Sequence, residues 1–264
     1  MIARRTLLAA PALLAAPREE RLEDWKRIRE TPLRAVLHHV QGIDTDGKRL
    51  WVSSVDAKRR RGLLSLFDLA SGALVKQVEI QEGDKFHPGG ICLDGGAIWT
   101  PCAEYRRAST ASLQRRDAAS LGLLSSFAVN DHIGCVAATP DGLAAGNWDS
   151  KEISWWSKEG TSLSRRLNPT GTSFQDMKSV DGLLVASGNT SRDEGAIEWF
   201  TLPDLRLERR LRAGKTDRGV RFTNEGMAWR GGLLYLLPED DPSRLFVFQP
   251  VSGSSGISPE RRSP

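Results

Sequence analysis

The sequence contains little cysteine and no long apolar segment after its first residues. Its 264 residues include three cysteines, an odd number that excludes a fully paired disulfide framework. The G-x-S-x-G, Walker and G-x-G-x-x-G patterns are also absent, so nothing indicates a nucleophile elbow, a phosphate-binding loop or a dinucleotide site. A formal net charge of +4 is too small to predict a nucleic-acid partner.

Residues 1–17 predict a signal peptide. Arg4 and Arg5 precede a stretch of about ten small and leucine-type residues, which is too short to span a bilayer. The Arg-Arg-Thr-Leu-Leu core resembles a twin-arginine signal, and an ordinary secretory leader is the alternative. We therefore expect an exported, periplasmic or extracellular protein that is not inserted in the membrane after export.

A unit of two strands joined by an Asp-Gly-like turn recurs five times along the chain. The turn glycines are Gly47, Gly95, Gly142, Gly182 and Gly231. Their intervals of 40 to 49 residues match one four-stranded propeller blade per repeat. A third strand with alternating polarity and a more charged fourth strand follow in the repeats. We predict an all-β fold, a five-bladed β-propeller with four-stranded antiparallel blades over residues 33–250.

The last repeat lacks its fourth strand, and residues 33–37 form an apolar strand without a partner. Pairing this N-terminal strand into the last blade would close the ring and remove two exposed edges. Residues 18–32 predict a short amphipathic helix or linker packed on the ring. Residues 251–264 are polar and of low complexity, which predicts a disordered tail. We expect the protein to be a monomer.

Equivalent positions of the repeats place polar side chains at one mouth of the central channel. The inner strand of a blade begins, and the second strand ends, on the same face of a propeller. Three of the four histidines, His39, His87 and His132, share one position in consecutive repeats. Converging imidazoles favour one divalent metal, with Zn, Cu, Fe, Mn or Ca as the choices. Capping of strand ends around ordered water is the alternative role for these residues.

Carboxylates, amides and aromatic residues at other strand ends complete the predicted site. The candidate catalytic groups are Glu104, Asp176 and Glu225, with Glu104 or Glu225 as general base. Either Glu239 or Asp240 occupies the corresponding place in the last repeat. The candidate substrate-binding residues are Gln41, Tyr105, Asn147, Trp148, Asn189 and Asn224. This set predicts a small-molecule site, either a metal-dependent hydrolase or lyase or a non-catalytic ligand- or protein-binding module.

The repeat pattern resembles the plant-type glutaminyl cyclotransferases, which are five-bladed propellers. Val40-Gln-Gly-Ile43 is similar to that family's T-Q-G-L motif, and Asn224-Glu-Gly-Met227 is a related motif in the last blade. The resemblance implies a cyclotransferase-like activity with Gln41 in the site. The family's proposed catalytic glutamate, in the inner strand of the second blade, falls on Gly89 here.

Three further segments resemble an uncharacterised family of exported bacterial propellers. They are His87-Pro-Gly-Gly-Ile91, Ala103-Glu-Tyr-Arg106 and Asp131-His-Ile-Gly134. This second resemblance implies the propeller fold and no particular activity.

Overall fold

The computed structural model describes residues 16–251 and confirms an all-β, five-bladed propeller with almost no helix. Its N-terminal part contains strands β1 (Arg18–Arg21) and β2 (Lys26–Pro32), separated by a 3-10 turn at Leu22–Asp24. None of the helical turns in this range is long and apolar enough to cross a membrane. The predicted signal peptide and C-terminal tail fall largely on residues 1–15 and 252–264, outside the described residues.

The remaining strands form the five blades. The first blade contains β3 (His39–Thr45), β4 (Arg49–Asp56), β5 (Arg61–Asp68) and β6 (Leu74–Glu79). The second contains β7 (Lys85–Pro88), β8 (Cys92–Asp94), β9 (Ala97–Glu104), β10 (Ala111–Asp117) and β11 (Leu123–Val129). The third contains β12 (Ile133–Thr139), β13 (Gly142–Asn147), a 3-10 turn (Trp148–Ser150), β14 (Glu152–Trp156) and β15 (Ser162–Leu167). The fourth contains β16 (Ser173–Val180), β17 (Leu183–Asn189), β18 (Gly195–Thr201) and β19 (Leu207–Arg212), and the fifth contains β20 (Glu225–Arg230), β21 (Leu233–Pro238) and β22 (Arg244–Gln249).

An N-terminal strand closes the ring, as predicted, but that strand is β2 and not residues 33–37. β2 pairs antiparallel with β22 and is the outermost strand of the fifth blade. Most of its residues are exposed and charged, so its sequence did not stand out as a strand. Residues 33–37 form a connection whose Leu33 and Leu37 are buried between the fifth and first blades.

The prediction of a helix or linker over residues 18–32 is wrong, because the segment binds the outer edges of two blades. β1 adds a fifth, parallel strand to the fourth blade beside β19. Glu20 accepts hydrogen bonds from Arg209 (2.8 Å) and from the indole of Trp25 (3.2 Å). The Arg209 guanidinium in turn lies over the rings of Trp25 and Trp199. Pairing with strand edges therefore outweighs the weak helical periodicity of the segment.

The hydrophobic core consists of five clusters, one at each interface between neighbouring blades. Successive side chains of a strand point to opposite faces, so each apolar second strand contributes to the interfaces on both of its sides. Cys92, Cys102 and Cys135 are buried in these interfaces as free thiols. The core therefore surrounds the channel and leaves the mouth to polar residues.

Below the mouth, three glycines bring the inner strands of different blades into backbone contact. A Cβ atom on Gly42 would lie 2.5 Å from the Cα of Gly90, and one on Gly89 would lie 2.0 Å from the carbonyl oxygen of Gly134. The amide of Gly90 donates a hydrogen bond of 2.9 Å to that same oxygen. The channel is closed beneath the mouth at these glycines, because no side chain holds the strands apart there. We call this set the glycine collar: Gly42, Gly89 and Gly90.

Candidate functional site

Above the glycine collar, the mouth is a cavity of about 200 Å³. Its lining residues are His39, Gln41, His87, Tyr105, His132, Gly134, Asn147, Trp148, Asp149, Phe174, Gln175 and Glu225. Most of the predicted site residues are among them, which supports reading the five repeats as one converging set. The predicted residues outside this lining are Glu104, Asp176, Asn189 and Asn224.

One side of the mouth is built where the fifth blade meets the first. His39 begins β3, Glu225 begins β20, and Glu239 directly follows β21. One ligand atom from each of these side chains lies within 4.8 Å of the other two, and His39 Nδ1 is 2.8 Å from Glu239 Oε1. Within residues 16–251, this carboxylate–histidine cluster is the only group of at least three His, Cys, Asp or Glu side chains spaced to hold one metal ion.

Burial dominates the electrostatics of the carboxylate–histidine cluster. Glu225 is 5% exposed, and its carboxyl makes no hydrogen bond within the described part of the chain. Burial raises the pKa of Glu225 to about 8; the positive charge of His39 opposes this rise and the negative charge of Glu239 adds to it. Burial by itself lowers the pKa of His39, but the hydrogen bond with Glu239 and the two negative charges outweigh it, so this pKa is raised.

The second and third blades form another side of the mouth, here called the aromatic wall: Tyr105, His87, His132 and Trp148. The rings of Tyr105 and His87 are stacked, with centroids 4.2 Å apart and planes 12° apart. Trp148 meets His132 edge-on, with centroids 4.5 Å apart. The 3-10 turn that begins at Trp148 orients this side chain at the end of β13.

Both histidines of the aromatic wall are held as neutral imidazoles. Burial, together with the charges of His132 and His39, lowers the pKa of His87 to about 3. Burial also lowers the pKa of His132, whose Nδ1 is 3.1 Å from Ser109 Oγ and 3.2 Å from the carbonyl oxygen of Arg106. A group with a pKa near 3 is a poor general base at neutral pH, so His87 is suited to hydrogen bonding and stacking.

His39, His87 and His132, the predicted metal set, line the same cavity but do not form one group spaced to hold a metal ion, although the rings of His87 and His132 are neighbours with centroids 5.6 Å apart. Only His39 belongs to the carboxylate–histidine cluster, while His87 and His132 pack against aromatic rings of the second and third blades. Equivalent repeat positions share a face of the propeller, but side chains from different blades need not point at one another.

Glu104 was predicted to be catalytic, but it stabilises a loop beside the mouth. Its Oε1 accepts hydrogen bonds from the backbone amide (3.2 Å) and hydroxyl (3.0 Å) of Thr110, and its Oε2 accepts one of 2.7 Å from Arg106. The hydrogen bond from Arg106, followed by those from Thr110, holds the pKa of Glu104 below its usual value although desolvation opposes this. Its carboxylate is thus already occupied in the loop between β9 and β10.

Asp176 was also predicted to be catalytic, and the structure places it in the interior of the channel with no exposed surface. Its Oδ2 accepts hydrogen bonds from the amides of Ile43 (2.9 Å) and Met227 (3.0 Å), which belong to the first and fifth blades. Its Oδ1 accepts one of 2.5 Å from Lys178. Burial raises the pKa of Asp176 to about 7, and Lys178 and the backbone donors counteract that rise. Asp176 connects three blades and does not reach the cavity.

Two of the three predicted asparagines, Asn189 and Asn224, lie outside the cavity lining and support Glu239 of the carboxylate–histidine cluster. Asn189 donates to Asn224 (3.3 Å), and Asn224 donates to Glu239 Oε2 (3.5 Å). Glu239, and not the neighbouring Asp240, contacts His39. Asp240 is buried in ion pairs with arginines of the fifth blade region. The sequence leaves Glu239 and Asp240 as alternatives at this strand end, and the structure places Glu239 at the cluster.

Four lining residues were not among the predicted site residues: Gly134, Asp149, Phe174 and Gln175. The ladder between β16 and β17 shifts register between Phe174 and Asp176, which places Gln175 on the cavity side. Asp149 directly follows Trp148 in the 3-10 turn, so its proximity to a predicted residue was the available signal. The same register shift occurs at Gln41 in β3 and at Gly134 in β12, so Gln175 is the fourth blade's counterpart of these two lining residues, an equivalence that the repeat alignment missed by one residue.

Of the two site residues that the glutaminyl cyclotransferase resemblance implies, one is present in the cavity and the other is replaced by glycine. Gln41 lines the cavity, as that resemblance implies. Gly89, which takes the place of the family's proposed catalytic glutamate, belongs to the glycine collar, where a Cβ atom would collide with the Gly134 carbonyl oxygen. No side chain fits there without movement of the backbone.

A family model described as a family of unknown function (DUF6454) matches residues 15–174, and no curated protein matches the sequence. Among solved structures, the chain is similar to a glutaminyl cyclase of Myxococcus xanthus, with a TM-score of 0.68 and 15% identity over 89% of this chain and 100% of that one. It is also similar to a protein of unknown function from Bacteroides caccae, with a TM-score of 0.50 and 11% identity over 76% and 72% of the two chains. The WD40 domain of Neurospora crassa Pan2 gives a TM-score of 0.49 and 11% identity over 84% of this chain and 64% of that one. Both resemblances seen in the sequence are thus confirmed for the fold, which does not determine an activity.

Proposed function

Because the chain belongs to the family of unknown function DUF6454, we propose its function from the site itself: a small-molecule enzyme, namely a metal-dependent hydrolase or lyase. The observation that carries this proposal is the carboxylate–histidine cluster of His39, Glu225 and Glu239, whose ligand atoms lie within 4.8 Å of one another. The cluster borders a cavity of about 200 Å³, which accommodates a small substrate.

The donor set and its burial favour a transition metal. One imidazole with two carboxylates suits Zn²⁺, Mn²⁺ or Fe²⁺, whereas Ca²⁺ prefers oxygen ligands throughout. Ionising Glu225 in the free protein is costly, because this side chain is buried and makes no hydrogen bond within residues 16–251. A bound cation would compensate this carboxylate, and the open side of the cluster leaves coordination positions for water or substrate.

A metal in this cluster supports two related reactions on a carbonyl compound. It would polarise the carbonyl oxygen, or bind the water that attacks the carbonyl carbon. In hydrolysis, the water oxygen bonds to that carbon, the bond to the leaving group breaks, and a water proton passes to the leaving group. In a lyase reaction, a base would take a proton from the carbon next to the carbonyl, and a carbon–carbon double bond would form as the bond to a leaving group on the adjacent carbon breaks. A metal held by His39, Glu225 and Glu239 would offset the charge that develops on the carbonyl oxygen.

Metal titration of the chelator-treated full chain tests the proposal. We expect calorimetry to show one Zn²⁺ or Mn²⁺ bound per chain, and Glu225→Gln or His39→Ala to remove that binding. His87→Asn and His132→Asn are matched controls that should retain it. Loss of the metal in the controls but not in Glu225→Gln would instead support the three-histidine set. A wild-type protein that binds no metal would refute metal dependence.

Turnover distinguishes an enzyme from a binding module, which the cavity and its aromatic wall would also suit. A small ligand that binds saturably, is not converted and stays bound after chelation would support the binding module. Cyclotransferase activity is tested by release of pyroglutamate from a peptide that begins with glutamine. We expect no release, because Gly89 replaces the catalytic glutamate that the resemblance implies.

The proposed enzyme acts after export. This part of the proposal is supported by the Arg4-Arg5 pair and the short apolar segment of the leader. Changing both arginines to lysine should retain the protein in the cytoplasm if the twin-arginine route is used. Unchanged export of that variant would favour an ordinary secretory leader.

A further inference from the structure

Three of the four rings of the aromatic wall, Tyr105, His87 and Trp148, are nearly parallel, and His132 meets Trp148 edge-on. The plane of Tyr105 is 12° from that of His87, and the plane of Trp148 is 21° from it, with the His87 and Trp148 centroids 6.3 Å apart. Aligned π-faces gain more from a flat unsaturated group than from an aliphatic group of equal size. The geometry therefore discriminates by the shape and electronic character of a ligand as well as by its area.

The aromatic wall is accessible to a ligand. Tyr105 is 45% exposed, and no other Phe, Tyr or Trp side chain in the described part of the chain is exposed to this degree. Its hydroxyl makes no hydrogen bond within that part, although a tyrosine hydroxyl ordinarily finds a partner when its ring is packed. At the neighbouring Gly134, the nearest atom to an added Cβ would be 3.5 Å away, so the cavity floor has space at this point.

The charges around the cavity favour an uncharged ligand. Its lining contains no lysine or arginine, and a divalent cation held by two carboxylates is formally neutral. The nearby Arg107 pairs with Asp149 at 2.6 Å and lies 5.4 Å over the Trp148 ring. An anion would thus find no unpaired cationic group in the lining.

His87 supplies a polar contact suited to such a ligand. Its Nδ1 is buried without a hydrogen-bond partner, so Nε2 is the ring nitrogen left to the cavity. A neutral imidazole nitrogen donates or accepts a single hydrogen bond, depending on the tautomer. This contact fits a carbonyl, amide or ring nitrogen of an uncharged molecule.

We propose that the mouth binds an uncharged, planar aryl or heteroaryl carbonyl compound, with its ring against the aromatic wall and its carbonyl oxygen toward the carboxylate–histidine cluster. The inference rests on the proposed function for the role of that oxygen. The aromatic wall itself needs no metal, so its preference can be measured separately.

Ligand-observed NMR titration of the chelator-treated full chain tests this ligand class with three probes of similar size: benzamide, cyclohexanecarboxamide and benzoate. We expect benzamide to bind about two- to tenfold more tightly than cyclohexanecarboxamide, which is the range of an added aromatic contact. Benzoate should bind most weakly. Tyr105→Leu and Trp148→Leu should remove the preference for benzamide, while the matched change Trp156→Leu, outside the mouth, should preserve it.

Equal binding of the two amides, tightest binding of benzoate, no binding of any probe, or an unchanged preference in Tyr105→Leu and Trp148→Leu would each overturn the inference. The metal titration gives an independent result. Selective benzamide binding without metal binding would retain the ligand class and refute metal dependence. Metal binding without benzamide selectivity would refute the ligand class and leave the proposed metal dependence standing.

Discussion

Two buried carboxyl groups on the inner strands of this propeller have opposite surroundings. Asp176, in the channel interior, accepts four hydrogen bonds, from the amides of Ile43, Met177 and Met227 and from Lys178. Glu225, at the mouth, accepts none within residues 16–251. Burial raises the pKa of both groups, to about 7 for Asp176 and about 8 for Glu225.

The difference shows that burial alone does not distinguish an architectural carboxylate from a functional one. A carboxylate whose acceptors are all used by its own fold has no capacity left for a ligand. One that is buried without partners destabilises the fold unless something binds it. Hydrogen-bond satisfaction is therefore the property that separates the channel interior from the mouth.

The largest expected effect is the loss of stability in Asp176→Asn. The change removes the counter-charge of Lys178, and breaking a buried ion pair costs about 3–5 kcal/mol. Glu225→Gln disrupts no hydrogen bond in the described chain and removes the cost of ionising a buried carboxyl, so it should leave the free energy of unfolding unchanged or raise it. Urea denaturation of both variants at pH 7 measures this contrast.

If Asp176→Asn does not fold, the double variant Asp176→Leu with Lys178→Met provides the comparison, because it removes both charges together. It should be more stable than Asp176→Asn. Equal stability losses in Asp176→Asn and Glu225→Gln would contradict the distinction between the two sites.

A pair of glycines tests the boundary between the mouth and the interior. Gly89→Ala places a methyl group 2.0 Å from a backbone oxygen and should destabilise the protein by about 1–3 kcal/mol. Gly134→Ala meets nothing closer than 3.5 Å, so it should change stability by less than about 0.5 kcal/mol while weakening benzamide binding. Thermal unfolding and the NMR titration measure the two effects, and equal destabilisation would show that the glycine collar does not close the channel.

The fold was predictable because its pattern repeats. Five copies of an apolar second strand and a glycine turn locate the blades, and each inner strand lies where the repeats place it. The outer strand β2 was missed because an exposed edge strand has no buried face to produce alternation. Leu33 and Leu37, which do carry an apolar pattern, were mistaken for that strand because they are buried in a connection.

The candidate site was predictable only as a set of positions. His39 meets Glu225 and Glu239 through ring closure, which joins segments far apart in the sequence. The repeat assigns Asp176 and Glu225 to the same place in their blades, but the register shift before Asp176 re-aims its side chain. Which polar groups satisfy one another depends on such local geometry, and a repeat alignment does not contain it.

The acid side of the stability profile tests the burial of His87 in the aromatic wall. Because the folded-state pKa of His87 is about 3, below its ordinary 6.5, protonation favours the unfolded chain. The contribution of His87 to stability is complete above pH 6.5 and is lost as the pH falls toward 3. At pH 5 the loss is about 2 kcal/mol, at about 1.4 kcal/mol for each pH unit. His87→Phe retains a ring to stack on Tyr105. Between pH 7 and pH 5, its free energy of unfolding should fall by about 2 kcal/mol less than that of the wild type. An equal fall in the two proteins would show that His87 is solvated.

The smallest expected effect belongs to Glu104, which the sequence predicts as a candidate general base alongside Glu225. The carboxylate of Glu104 pairs with the exposed Arg106, and such surface pairs contribute little to stability. In Glu104→Gln the amide oxygen still accepts the hydrogen bonds from Thr110, so the loop that carries Tyr105 should keep its position. We expect metal affinity, benzamide affinity and stability all to stay close to wild type, as measured by calorimetry, NMR titration and urea denaturation. Loss of metal binding in Glu104→Gln would show that Glu104 belongs to the site, and that a carboxylate with satisfied hydrogen bonds can still be functional. Metal binding that is kept in Glu104→Gln and lost in Glu225→Gln would show that hydrogen-bond satisfaction separates structural from functional carboxylates at the mouth.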